Sequence, residues 1–595
     1  MELQDSPFYP FFNTNRATSR TETEQIHELL RLPEQELRNI DEDIYRLHDL
    51  LNELEHRREK ALTYIHKHRQ LLSPIRRLPP KILAEIFVRC LPSNHLPARN
   101  LAEAPLLLTL VCKQWREIAL STPRMWCALH IYVPYSRFND VQFIEKRKAG
   151  IQQWLERSGS LPISLSVAHK HPTWTPIRDS DNPEAPLQVD PYSEESPLSS
   201  LMKCLVSFSP RWGELTLNVP IAASRLIASI PPERLVMLHR ISVSVPFSYT
   251  DSHNLGASFT AFLDCLPQLN ALYLREHSMP EIQSGFRWSR LTELSLLPHN
   301  NADTILRYND AIRLLLQTDN LRVCKLMVRL SSTSEQLQVT LPSLYDLTLI
   351  FSAHEEPSTH LAHSLSAPSL INLAITSSWG YENMHSAHSF YNKILTKLLG
   401  ESTGIQNLHV AVAMPIGSLV QCLQSSPQIK SLTIGSARPS RFQNRRAITF
   451  PGEDVDLVNS LSPTLNSEPP LCPQLRTLKF LSMRPIPAPT AFLNLIKARK
   501  AYAAVHPDAR VLRTLEVLSP SSLQPSDHSA AITDEFTQLR NDGMSIYIAY
   551  RGWHKGRENH DDLPWEGLFD DETFNSESWK TGASSSPANA RLVYI

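Results

Sequence analysis

Glycine is scarce in this chain, 16 residues in 595, while proline reaches 45. So little glycine excludes a collagenous or glycine-rich low-complexity protein, and so much proline favours many short elements punctuated by turns. An excess of one charge is missing too. The formal net charge is -1, which leaves no chain-wide positive field to hold a phosphate backbone through counterion release, so nucleic acid is not an expected partner. No run of eighteen apolar residues occurs, and Met1 to Arg20 lacks an apolar segment behind a basic start. Neither a membrane span nor secretion is indicated. The 8 cysteines lie far apart with no C-x-x-C pair, the usage expected of reduced thiols in the cytosol or nucleus, with no disulfide framework and no zinc.

Catalytic signatures are also wanting. The chain has no G-x-S-x-G, G-x-G-x-x-G, Walker A or H-E-x-x-H, and abundant Ser, His and Asp alone make only a thin case for a hydrolase. His66 with His68, and His169 with His171, have no Cys or carboxylate at ligand spacing, so neither metal nor cofactor is expected. Arg438, Arg441, Arg445 and Arg446 with Phe442 form a basic cluster, read either as a solvated loop or as an import or phosphate contact. The expectation is a protein that is not an enzyme.

What the sequence does hold is an ordinary globular balance, 42% apolar and 20% charged, over a length several times what one core supports. Residues 1–22 read as a flexible tail rich in Ser, Thr and Asn. From Leu37 a heptad rhythm runs through Ile40, Ile44, Leu47, Leu51, Leu54, Arg58, Ala61, Ile65, His68 and Leu72, placing one apolar seam along a helix over 23–73. Pro33 suits its first turn and Ser73-Pro74 its end. Arg58 and His68 interrupt the seam, so both a self-associating coiled coil and a single amphipathic helix packed on its own domain stay open.

Two further apolar helices are expected over Leu78–Leu91 and Leu106–Leu120, the first with Pro80 in its opening turn, the second stopped by Pro123 ahead of Trp126. The order Pro74, Leu78-Pro79, Ile82-Leu83, Ile86-Phe87, Val111-Cys112, Trp115-Arg116, Pro123 and Trp126 resembles the F-box motif across 74–126, with Lys81 standing where the motif often carries an acid. The resemblance implies a hydrophobic interface to a Skp-type adaptor made by Leu78, Pro79, Ile82, Leu83, Ile86, Phe87, Val111 and Trp115. Independently, about fifty residues of short helix cannot cover all their apolar faces alone.

From about residue 200 to 520 a template recurs eleven times: an apolar residue, another three on, another two further on, as in Leu269/Leu272/Leu274 and Leu344/Leu347/Leu349. In six of these a proline stands two residues ahead (Pro210, Pro267, Pro342, Pro368, Pro427, Pro473), the mark of a shared turn. This L-x-x-L-x-L core resembles leucine-rich repeats, at an irregular spacing of about 22 to 46 residues. Asn or Cys, usual in such repeats three residues past the last Leu, is replaced by residues such as Pro220, His277, His299, Arg329, Ser352 and Met483, so loop backbones must find hydrogen bonds elsewhere.

The expected fold class is therefore α/β: a long N-terminal helix, a small all-α F-box, then an irregular leucine-rich-repeat solenoid with a parallel sheet over 127–550. A polar insertion falls near 168–199, Asp534 to Tyr550 add a last helix and strand, and 551–595 form a polar tail with Trp553, Trp565 and Trp579. Side chains between the apolar template positions point to the open sheet face, which includes Arg240, Tyr273, Arg275, Glu293, Lys325, Asp346, His409, Lys479 and Glu516. They are named as a substrate-binding surface. The two resemblances together imply a substrate receptor of a Skp, cullin and F-box ubiquitin ligase; the competing expectation is a leucine-rich-repeat scaffold or sensor outside any ligase. The target protein is not legible.

Overall fold

The computed structural model describes residues 6–550 apart from positions 94, 135–136, 138–139, 170–196, 220–226, 228, 245–261, 276–285, 299–304, 331–336, 354–357, 378–384, 413, 436–452, 464–470, 482–488 and 520–529. The basic cluster at 438–446, most of the 168–199 insertion and the 551–595 tail lie outside the described residues. The chain divides into two units, Met1–Glu85 and Ile86–Ile595.

The first unit is dominated by one helix, α1 (Arg20–Leu71), 52 residues long. Its start is set by Ser19 and Glu22. The Ser19 hydroxyl accepts from the Glu22 amide at 3.3 Å and the Glu22 carboxylate accepts from the Ser19 amide at 2.8 Å, a reciprocal capping box that satisfies two otherwise orphaned donors. Pro33 was expected in the first turn, but the helix begins thirteen residues earlier and Pro33 lies inside it. A good cap and a long run of strong helix formers outweigh the one backbone bond the ring removes. Residues 9–11, inside the expected tail, form a 3-10 turn over whose Phe11 ring the Arg16 guanidinium sits at 4.5 Å. From Glu34 to Arg69 every residue of α1 is exposed. After a 3-10 turn at Pro74–Arg77 comes α2 (Pro80–Arg89), opened by Pro80 as expected; the division between the units falls within it.

In the second unit the expected single helix over 106–120 is broken in two, α3 (Leu106–Val111) and α4 (Lys113–Leu120). Cys112 is extended (φ -160°, ψ 171°), and its Sγ accepts from the Trp115 amide at 3.4 Å, capping α4. Pro123–Met125 is a 3-10 turn.

A 15-stranded sheet follows, and every pairing among its described strands is parallel. Except for the two-residue strand Leu306–Arg307, which pairs to one side, the strands follow one another in chain order from Ala128–Val133 to Ser545–Tyr550. The register explains the template. Its middle apolar position forms one unbroken row of Cα partners, Leu215, Ile241, Leu272, Leu294, Cys324, Leu347, Leu373, Leu408, Leu432, Leu478 and Leu515, continued by Ile546. No member of that row is more than 6% exposed. The last template position makes a second row two residues on, buried throughout except at half-buried Ile434. Because neighbouring strands lie about 4.8 Å apart, one register makes identical positions stack, and burial of a whole row fixes that register against slippage. The prolines ahead of the template mark a common turn at 267–268, 342–343, 368–369, 427–428 and 473–474.

Two strands precede the first expected one, Ala128–Val133 and Ile163–His169, joined through the helix Val141–Arg157. The first of them carries the same spacing, Trp126/Leu129/Ile131, and all three are buried. At the far end, the helix Ala530–Asn541 and the strand Ser545–Tyr550 stand as expected, with Gly543 at φ 90° in the turn between them, a conformation that favours glycine.

The hydrogen bonds that loop carbonyls had to find elsewhere come in part from arginines, Arg499 buried and Arg211 and Arg290 half-buried. Arg211 donates to the Leu155 carbonyl at 2.9 Å, Arg290 to those of Leu266 at 2.6 Å and Leu263 at 2.9 Å, and Arg499 to those of Leu471 at 2.6 Å, Leu461 at 3.1 Å and Cys472 at 3.2 Å. A guanidinium has five donors in a fixed fork, so one side chain can close off several carbonyls at a helix end. Burial pushes the Arg499 guanidinium down to about 10.

Candidate functional site

Two stretches of the chain present side chains of recognition type: the short helices over 78–126 and the open face of the sheet. Ahead of α2, Leu78 is half-buried and Pro79 exposed; on α2, Leu83 and Phe87 are buried and Ile86 half-buried, but Ile82 is 49% exposed. On α3, Val111 is 55% and Leu110 53% exposed, and Leu107 also faces out. Trp115 is half-buried, its ring 4.8 Å from that of Phe87. The eight positions named from the sequence thus separate into Leu83 and Phe87, turned inward, Leu78, Ile86 and Trp115, half-buried, and Pro79, Ile82 and Val111, turned outward.

Leu107 and Leu110 were missed. The signal was present: Leu106-Leu-Leu-Thr-Leu-Val111 has more apolar residues in six positions than one face of a two-turn helix can bury. Trp126, the exit residue of the motif, is fully buried, edge-on to Trp154 at 4.8 Å, and donates to the Ala119 carbonyl at 2.8 Å. Arg157 lies over its ring at 4.7 Å.

On the sheet, the side chains between the buried rows fall into local groups set by register. Arg240 stands beside Glu214 on adjacent strands and donates from Nη2 to Glu293 Oε1 at 2.8 Å and from Nη1 to the Tyr273 hydroxyl at 3.0 Å, with Glu214 3.8 Å from its Nε. The Tyr273 hydroxyl donates in turn to Glu293. Burial and the Glu293 carboxylate raise the Tyr273 hydroxyl well above its ordinary range; burial alone would depress Arg240, but its anionic neighbours outweigh that and leave it raised. The group is a connected network whose members orient one another, although the Arg240 Nε makes no hydrogen bond in it.

Further along, Asp346, Asn372 and Asn407 occupy one register row on three successive strands. Asn372 donates to the Asp346 carboxylate at 2.8 Å and Asn407 to the Asn372 side-chain carbonyl at 2.7 Å. Near the end of the sheet, Lys479 and Glu516 are direct cross-strand partners 2.8 Å apart, and Lys479 is only 7% exposed. Of the nine positions expected on the open face, the structure joins Arg240, Tyr273 and Glu293 in one group and Lys479 with Glu516 in another. Asp346 belongs to the amide ladder, Lys325 and His409 are half-buried in the row of Tyr273 and Lys479, and Arg275, also half-buried, lies in the row just past the last template position. Glu214, Asn372 and Asn407 were not named from the sequence, although they share the offset of Arg240 and Glu293, immediately before the middle template residue.

Chemically these groups supply charge pairs and amides, suited to reading the polar groups of a peptide or folded protein. Among the described residues no cluster of three His, Cys, Asp or Glu is placed to hold a metal ion, and no helix is long and apolar enough to cross a membrane. Compared with known proteins, the chain matches no protein-family model and no curated protein.

Proposed function

We propose that this chain is the substrate-recognition subunit of a Skp, cullin and F-box ubiquitin ligase: the segment over 74–126 is an F-box that docks on a Skp-type adaptor, and the strand ladder is a leucine-rich-repeat solenoid that holds the target protein. One observation carries the reading. In a segment with the residue order of an F-box, Ile82 on α2 and Leu107, Leu110 and Val111 on α3 are turned to solvent while Leu83 and Phe87 are buried. Large apolar side chains left outward on short helices raise the free energy of the isolated chain by roughly 1.5–3 kcal/mol each relative to burial, so a partner that covers several of them gains enough to offset association costs.

Under this reading the outward-turned Pro79, Ile82, Leu107, Leu110 and Val111 meet the adaptor. The open sheet face, with its Arg240, Asp346 and Lys479 groups, meets the target, whose lysines are then held near a separate conjugating enzyme at raised effective concentration. No residue of this chain takes part in bond making.

The test is capture of a Skp-type adaptor by the full chain. Ile82→Asp with Val111→Asp places two charges on exposed positions, so the fold is preserved, checked by an unchanged thermal transition, and adaptor recovery falls by more than tenfold. Undiminished recovery in that variant overturns the assignment and leaves the scaffold outside any ligase.

A further inference from the structure

We propose that α1 pairs with α1 of a second copy of this chain in an antiparallel coiled coil centred between Tyr45 and Arg46. The helix would span about 78 Å at 1.5 Å per residue. Leu37, Ile40, Ile44, Leu47, Leu51 and Leu54 recur in steps of three and four along one side of it, and each is at least 46% exposed. An isolated helix gains little from propensity alone and is stabilised mainly by packing of its apolar stripe. Every residue from Glu34 to Arg69 is exposed, so among the described residues nothing buries the stripe.

Sequence and charge select both the occupant and its direction. The six residues form an uninterrupted run of leucine and isoleucine bounded by Pro33 and Arg58. Laid antiparallel on itself about its midpoint, the run pairs Leu37 with Leu54, Ile40 with Leu51 and Ile44 with Leu47 of the other copy, and each pairing occurs twice. The interruptions then meet at the two ends, Arg58 opposite Pro33. A parallel pair would also align the run but would face Arg58 with Arg58 in a core layer and set Glu36 beside Asp41 across the seam, like charges in both cases.

Antiparallel pairing instead brings Glu36 beside Arg57 and Asp41 beside His48, twice each. It sets Glu34 beside Glu55 and, at the ends of the helix, Arg20 beside Arg69, the two unfavourable flanking pairs. The charge along the helix agrees. Residues 20–45 carry eight carboxylates against three arginines, and residues 46–71 carry four carboxylates against six Lys and Arg, so an antiparallel arrangement sets an acidic half against a basic one.

The experiment is sedimentation of the full chain over a concentration series, with the thermal transition of the sheet measured alongside. The intact chain sediments at twice the monomer mass. Leu47→Asp reduces it to monomer without moving the thermal transition, because Leu47 is exposed in the monomer. Direction is read from charge exchange: Glu36→Arg and Arg57→Glu each weaken self-association by about five- to tenfold, and the double exchange restores it. A parallel dimer gives the opposite sign for Glu36→Arg, since that change relieves the repulsion with Asp41, and so overturns the proposed direction. A monomer at every concentration overturns the pairing itself. Adaptor capture is scored separately in each variant, so loss of self-association and loss of the F-box reading are distinguishable.

Discussion

The long helix α1 and the parallel sheet are built from the same residue type at regular intervals, yet their leucines meet opposite fates. In the sheet, the middle template row from Leu215 to Leu515 is buried to within a few per cent; in α1, the row from Leu37 to Leu54 stands in solvent. The difference lies in what each geometry can supply for itself. A strand with two or three apolar residues on one face cannot stand alone, but the next strand repeats its pattern one register step away, so each row is covered by its own continuation and the connecting segments. A single helix repeats nothing beside itself, and among the described residues the stripe of α1 stays exposed. Periodicity therefore says that a face will be covered, and topology decides whether the cover is internal.

The sharpest way to break that comparison is to put the same charge on both rows. Leu347 is fully buried in the centre of the sheet, so Leu347→Asp buries an unpaired carboxylate as well as losing the apolar contact. A loss of more than about 5 kcal/mol is expected, enough to abolish cooperative unfolding of the sheet at ordinary temperature. Leu47→Asp on α1 leaves that transition where it was. Thermal unfolding followed by circular dichroism on the two variants decides the matter; a comparable loss in both would mean that α1 is packed within the chain.

A second effect, somewhat smaller, tests whether the open face is a solvated surface or a set of structural pairs. Lys479 and Glu516 are both largely buried. Removing one partner, as in Lys479→Met, strands a carboxylate and is expected to destabilise by about 3–5 kcal/mol, whereas Lys479→Met with Glu516→Leu returns to within about 1 kcal/mol of the parent. Denaturant midpoints of the two singles and the double give the coupling directly. If the single substitutions instead lower target capture with no change in midpoint, the pair belongs to the recognition surface and not to the framework.

Much of the ladder was legible because its signal is repeated: eleven spacings and six prolines each point to the same strand register, and so does the terminal pair of elements around Gly543. What escaped depended on single side chains. The start of α1 turned on the Ser19 and Glu22 capping box, a two-residue signal easily overlooked beside the conspicuous Pro33. The break at Cys112 has no strong helix breaker at all, since it comes from one extended residue capping the next helix with its sulfur. The guanidinium caps of Arg211, Arg290 and Arg499 were illegible for another reason: each acts on carbonyls 24 or more residues away in sequence. The outward-facing set on the short helices was half legible. The motif located the helices, but which of Ile82, Leu83, Phe87 and Val111 turn outward is a question of packing.

The smallest expected effect sharpens the comparison most. Leu51→Ala in α1, measured where the chain is dilute enough to be monomeric, should change the stability of the sheet by less than about 0.5 kcal/mol, since an exposed side chain is lost from a helix and alanine favours that helix at least as well. The same truncation in the sheet, Leu373→Ala, leaves a cavity in a fully paired row and is expected to lose about 2–5 kcal/mol. At concentrations where α1 pairs with its counterpart the same substitution weakens self-association, because Leu51 then lies in a core layer opposite Ile40. A concentration-dependent penalty at Leu51 beside a concentration-independent one at Leu373 would separate cover supplied by a second molecule from cover supplied by the chain's own next strand.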